Sequence, residues 1–239
     1  MGKNVGLIGG VSGKVGTVVF ATRRGVQIAR AYQPIVANPK SKRQLLSRAK
    51  LAMATGFVKE VRYFVRAGWQ KIAPTFEVQQ AIGRMIPVSN GAITGDTPEG
   101  LAFVMPSVAT CLSADELGFL AVGSPSSANG KVVFTATPDD SMFVDATGGA
   151  IRLGCAVCIR AALTGQAIVA FSELQKGSNT IEVAVPSYWD GASVDVYAFA
   201  KQIPEAINGI ASEIYPWKFP AACSRCAYVG SVDVNFQQA

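Results

Sequence analysis

Five cysteines are the residues best placed to do chemistry in this sequence. Four of them form two C-x-x-C pairs, Cys155-Ala156-Val157-Cys158 and Cys223-Ser224-Arg225-Cys226, with Cys111 left over. Two such pairs make a four-thiolate zinc site when a tight turn presents each of them. Here the pairs are 64 residues apart (159–222), far more than in a zinc ribbon. Cys155 and Cys158 also sit inside an apolar strand pattern, where positions three apart point to opposite faces. The reading of the residues is buried thiols and no metal, with a disulfide or a zinc site as the alternatives.

The chain has no histidine, which removes Ser-His-Asp and Cys-His catalysis and histidine-ligated metals. The acidic pairs Asp115-Glu116 and Asp139-Asp140 stand among turn residues, so they read as solvated turns rather than as a glycosidase pair. Gly6-Leu7-Ile8-Gly9-Gly10-Val11-Ser12-Gly13 is glycine-rich, but Val15 follows Lys14 where a P-loop needs Ser or Thr. No strand is read ahead of it, and no acid follows about 20 residues on. A flexible arm is the better reading. No catalytic apparatus and no cofactor are expected.

Charge is the stronger signal. Residues 1–71 hold 14 Lys and Arg against one acid, Glu60, a net +13; residues 72–239 hold 8 against 15, a net −7, together the +6 of the whole chain. The candidate contacts for nucleic acid or a protein partner are Lys14, Arg23, Arg24, Arg30, Arg48, Lys59, Arg62 and Arg66. Phosphate contact through them would be sequence-independent and salt-dependent. No base-reading motif accompanies them.

These cations must be carried by two elements. Val15–Thr22 and Val26–Tyr32, joined by Arg23-Arg24-Gly25, predict a β-hairpin. Asn38-Pro39-Lys40-Ser41-Lys42-Arg43-Gln44 predicts a helix start, with Pro39 in the first turn, Ser41 and Gln44 as a capping box and Asn38 as a rival cap. From there one long amphipathic helix is predicted to Trp69. Leu46, Ala49, Met53, Phe57, Val61 and Phe64 lie on one side, Arg48, Lys59, Arg62 and Arg66 with Thr55 on the other, and Gly68 marks the end. Phe76–Met85 predicts a second helix ended by Pro87, and Gly100–Met105 a strand. Seven strands follow at Leu117–Val122, Lys131–Thr137, Ala150–Leu163, Ala167–Leu174, Thr180–Val185, Ser193–Ala200 and Tyr228–Phe236. Turn residues such as Ser124-Pro125, Asn129-Gly130 and Asp190-Gly191 separate them. Residues 203–222 interrupt with prolines and aromatics, among them Tyr215, Trp217 and Phe219. The fold class is α+β: an N-terminal hairpin arm and a long helix, then an immunoglobulin- or fibronectin-like antiparallel β-sandwich. The expected divisions are 1–37, 38–112 and 113–239.

Several of these stretches resemble an uncharacterised domain family of Bacteroidota and their phages. Its signature, close to G-K-x-G…N-P-x-[ST]-x-x-Q-x-x-x-R, is matched by Gly13-Lys14-Val15-Gly16, Arg24-Gly25, Asn38-Pro39-Lys40-Ser41-Lys42-Arg43-Gln44 and Arg48. Asn90-Gly91-Ala92-Ile93-Thr94-Gly95 and Val185-Pro186-Ser187-Tyr188-Trp189-Asp190-Gly191 continue the likeness, which covers most of residues 13–200. The chain departs from it at Arg23, where an aromatic is usual, and in the tail after Lys201. The resemblance implies no activity, cofactor or site residue.

Hydrophobic residues make up 49 % of the chain, charged residues 16 %, and mean hydropathy is +0.28. No apolar run reaches the length of a membrane span. The N-terminus matches neither a signal peptide nor the myristoylation pattern. Two function classes are therefore expected. One is a bacteriophage virion or assembly protein, made in the host cytoplasm, that binds copies of itself and other virion proteins but no membrane. The other is a nucleic-acid-binding accessory protein without sequence specificity. A surface or carbohydrate-binding sandwich trails both.

Overall fold

The computed structural model describes residues 2–4, 12–23, 26–34, 40–144, 147–203, 206–207, 210–211 and 220–236. The chain divides into two compact units, Met1–Ser41 and Lys42–Ala239.

The first unit holds the predicted hairpin, extended by two short strands into a four-stranded antiparallel sheet. Strands β1 (Gly2–Asn4), β2 (Gly13–Val15), β3 (Val18–Arg23) and β4 (Val26–Ala31) pair in the order β1-β4-β3-β2. The predicted strand Val15–Thr22 is split because Gly16, at φ 59°, starts a two-residue turn that pairs Val15 with Val18. β1 lies ahead of the glycine run, where no strand was expected. Three residues are too few to leave a periodic signal, and pairing with the open edge of β4 supplies the order. Residues 5–11, which hold most of that run, and Arg24 lie outside the described residues.

In the second unit, α1 (Lys42–Glu60) starts right after Ser41, the predicted cap. It is followed by α2 (Arg62–Trp69) after a single non-helical residue, Val61, at φ −97° and ψ 24°. The predicted single helix is thus two, though the bonds Val61 N–H to Phe57 O (3.3 Å) and Val65 N–H to Val61 O (3.1 Å) carry across the break. The helix ends at Trp69, as predicted, one residue past Gly68, which is buried against Leu112 and Ser113. Next come α3 (Glu77–Met85) and a short pair, β5 (Ile93–Thr94) with β6 (Ala102–Phe103). The predicted strand to Met105 stops there because α4 (Met105–Ala109) begins, with Pro106 in its first turn.

The remaining strands are β7 (Ala121–Val122), β8 (Ser126–Ala128), β9 (Lys131–Thr137), β10 (Arg152–Ala161), β11 (Ala167–Leu174), β12 (Asn179–Ala184), β13 (Ser193–Ile203), a small pair of β14 (Ala206–Ile207) with β15 (Ile210–Ala211), and β16 (Ala227–Asp233). One sheet runs β11-β10-β13-β16 and the other β12-β9-β7, with β8 also on β9. That is the strand order of a fibronectin-like sandwich, and the unit is α+β with a β-sandwich at its C-terminal side. Ser124-Pro125 does not separate two independent strands. It interrupts one edge strand, since β7 and β8 both pair with β9, and an edge tolerates the missing proline donor. Asn129 and Gly130, both at positive φ, close the β8–β9 hairpin. The predicted strand Leu117–Val122 shrinks to two residues behind Gly118, at φ 80°.

The β11-β10-β13-β16 sheet is covered on both faces. Ala156, Cys158, Tyr197 and Phe199 pack with Phe57, Phe64 and Trp69 of the helices. Cys155, Val157, Ile159, Val196 and Ala198 pack with Val132, Phe134, Ile181 and Val183 of the second sheet. Double coverage explains why β10 and β13 read as continuous apolar runs, while β9 and β12, with one face exposed, alternate. Tyr215, Trp217 and Phe219 lie outside the described residues. Among the described residues, no helix is long and apolar enough to cross a membrane.

Candidate anion-binding surface

The outer face of α1 and α2 carries Thr55, Lys59, Arg62 and Arg66, spaced by four, three and four residues, all exposed. That spacing keeps them in one row. The inner face buries Phe57, Val61 and Phe64 and half-buries Leu46, Ala49 and Met53. Phe57 meets Phe103 and Tyr197, and Phe64 meets Phe199, at centroid distances of 5.1, 6.1 and 4.7 Å. The aromatic anchors therefore fix which side of the helix the cations face.

Lys59, Arg62 and Arg66 line one groove of about 410 Å³, whose far wall is the start of α3. Arg48 is exposed on α1 but does not line it. Thr75, Glu77 and Gln79 complete the groove, and the sequence had not singled them out. Thr75 adopts φ 73°, a conformation that a β-branched residue rarely takes. Its N–H donates to Glu77 Oε1 at 3.2 Å. The one sequence sign of this turn was Pro74.

The acid nearest in sequence, Glu60, points elsewhere. Its Oε2 accepts from Arg160 Nε at 2.6 Å, and Arg160 Nη1 lies 3.5 Å from Asp195 Oδ2. Tyr228 donates to Asp195 Oδ1 at 3.0 Å. This half-buried cluster ties the end of α1 to β10 and β13. Gly165, at φ 67°, lets the β10–β11 turn close on it, because a Cβ there would stand 2.6 Å from the Glu60 carboxylate.

In the N-terminal unit, Lys14, Val19 and Arg30 are cross-strand neighbours and so share a face. Lys14 and Arg30 are exposed, and the Lys14 ammonium sits 3.6 Å above the Tyr32 ring. Arg23 ends β3 opposite Val26.

All five cysteines are buried free thiols. Cys155 and Cys158 face opposite sides of the central sheet. Burial pushes the thiols of Cys155, Cys158 and Cys223 up to about 12, and those of Cys111 and Cys226 up as well. Among the described residues, no three Cys, Asp or Glu side chains gather as a ligand set. The acidic pairs do structural work: Asp139 accepts the Ser141 N–H at 2.9 Å, Asp115 pairs with Arg225, and Glu116 lies 2.8 Å from Lys71.

A model of the Family of unknown function (DUF6266) matches residues 10–215. The chain belongs to this family. No curated protein and no solved structure matches it. The DUF6266 span includes Lys14, Arg23, Arg24, Arg30, Arg48, Lys59, Arg62 and Arg66 and leaves out β16, the edge strand of the doubly covered sheet.

Proposed function

We propose that this protein is a non-catalytic structural protein that works as repeated copies, a bacteriophage virion or assembly component. One observation carries this: among residues 12–22, 27–34, 40 and 41, no side chain is buried. By register Val18, Phe20, Ala29 and Ala31 share one face of the sheet, and Phe20 is only half-buried. A small sheet whose described side chains form no core gains its order from a surface it packs on. A neighbouring copy offers one, and the opposite charges of residues 1–71 and 72–239 favour pairing between copies. Size-exclusion with light scattering on the full chain and on a chain lacking residues 1–37 tests it. The full chain is expected to form oligomers and the truncated chain to remain monomeric. Equal assembly of both would sink the assembly role. Detection of many copies in purified particles would support the virion setting.

A second role, nucleic-acid binding without sequence specificity, is favoured by the exposed row of Arg48, Lys59, Arg62 and Arg66. From Arg48 to Arg66 the row spans about 27 Å of helix. Four phosphate contacts would give a slope of roughly −3 to −4 in log affinity against log salt on duplex DNA. A flat salt dependence rules this role out.

A further inference from the structure

We propose that the groove between α2 and the start of α3 is a seat for a phosphoryl group, held by Lys59, Arg62 and Arg66. The chemistry is that of a pyrophosphate, a phosphate monoester or the phosphodiester of a nucleic-acid backbone. Only the last of these rests on the nucleic-acid role above.

The charge balance of the groove comes first. Three cations and one acid, Glu77, line it, a net +2. Five cations outside the groove pair with carboxylates: Lys71 with Glu116, Lys131 with Glu182, Arg152 with Glu173, Arg160 with Glu60 and Asp195, and Arg225 with Asp115. None of these ion pairs among the described residues involves Lys59, Arg62 or Arg66. Both nearby acids have other partners. Glu60, next to Lys59 in sequence, is drawn to Arg160 at 2.6 Å. Glu77 accepts the Thr75 N–H.

Like charges three and four residues apart on a helix repel and weaken it. A row of them facing one concavity is therefore unfavourable until an anion arrives. Two arginine forks suit phosphate oxygens bidentately, and a lysine adds a point charge. Thr55 is wall rather than donor, since its hydroxyl already donates to Leu51 O at 2.7 Å. The volume of about 410 Å³ leaves room for the group that carries the phosphate.

The test uses the full chain and inorganic pyrophosphate, followed by calorimetry. Saturable binding is expected, weakened about tenfold by Arg62→Gln and by Arg66→Gln, the loss of one charge-assisted contact each. Lys176→Gln, an exposed lysine outside the groove, controls for net charge and should leave binding unchanged. No saturable binding, or equal weakening by Lys176→Gln, overturns the seat. A short single-stranded oligonucleotide distinguishes the sources. Competition between it and pyrophosphate identifies backbone phosphate as a ligand of the seat. Pyrophosphate binding without oligonucleotide binding keeps the seat and removes the nucleic-acid role. Oligonucleotide binding that pyrophosphate neither shares nor displaces removes the seat and keeps that role.

Discussion

Burial sets the chemistry of the thiols at the residue scale. Desolvation raises all five, three of them from 9.0 to about 12, so none is a ready nucleophile near neutral pH. A folded-state value above the unfolded one means stability that is full below pH 9 and is lost as pH rises toward 12. At pH 10.5 each of Cys155, Cys158 and Cys223 would remove about 2 kcal/mol. Lys201 acts in the opposite sense. It is fully buried, its ammonium 3.1 Å from Ala67 O, and burial lowers its value below 10.5, so its contribution improves as pH rises toward that value. Five thiols outweigh one lysine. Urea midpoints are expected to drop steeply between pH 9 and 10.5, with a shallower drop for Cys155→Ala. Flat midpoints would show that the thiols are not buried as described.

At the element scale, two glycines of the α1–α2 pair make opposite predictions. An added Cβ at Gly56 meets nothing within 4 Å, so Gly56→Ala should stabilise by up to about 1 kcal/mol through helix propensity. At Gly68 the Cβ would lie 2.8 Å from Leu112 O and from the Ser113 side chain. Overpacking outweighs propensity there, and Gly68→Ala should destabilise by about 2 kcal/mol. Thermal melts of the two variants check both signs. Sequence alone read Gly68 as the end of the helix that holds Gly56, but could not show that a Cβ has room at Gly56 and none at Gly68. It read β9 and β11 to the residue, because turn residues bound both and β9 alternates. It overran where a positive-φ glycine breaks a β-rich stretch, at Gly16 and Gly118, since the break depends on conformation and not on residue type.

For the whole molecule, the helices, the doubly covered sheet and the outer sheet of Lys42–Ala239 share two cores that meet across β10 and β13. Met1–Ser41 belongs to a separate compact unit. A chain lacking residues 1–37 is therefore expected to melt cooperatively and within a few degrees of the full chain, as measured by calorimetry. Loss of the cooperative transition would mean that the two units are one folding unit.

What the sequence determined by itself is whatever repeats locally: the amphipathic helix face, the alternation of Cys155 and Cys158, the uneven charge, and the turns that punctuate the sandwich. A period of 3.6 or 2 residues fixes which side chains share a face. It does not say what covers that face. Only the tertiary structure brought Arg160 to Glu60, a hundred residues apart, and left Lys59, Arg62 and Arg66 without that acid. Only it set the start of α3 against that row to make a groove, and buried the sheet of β10 and β13 on both sides. Each of these depends on which distant surfaces close on one another, and that choice is made by the packing of the complete chain.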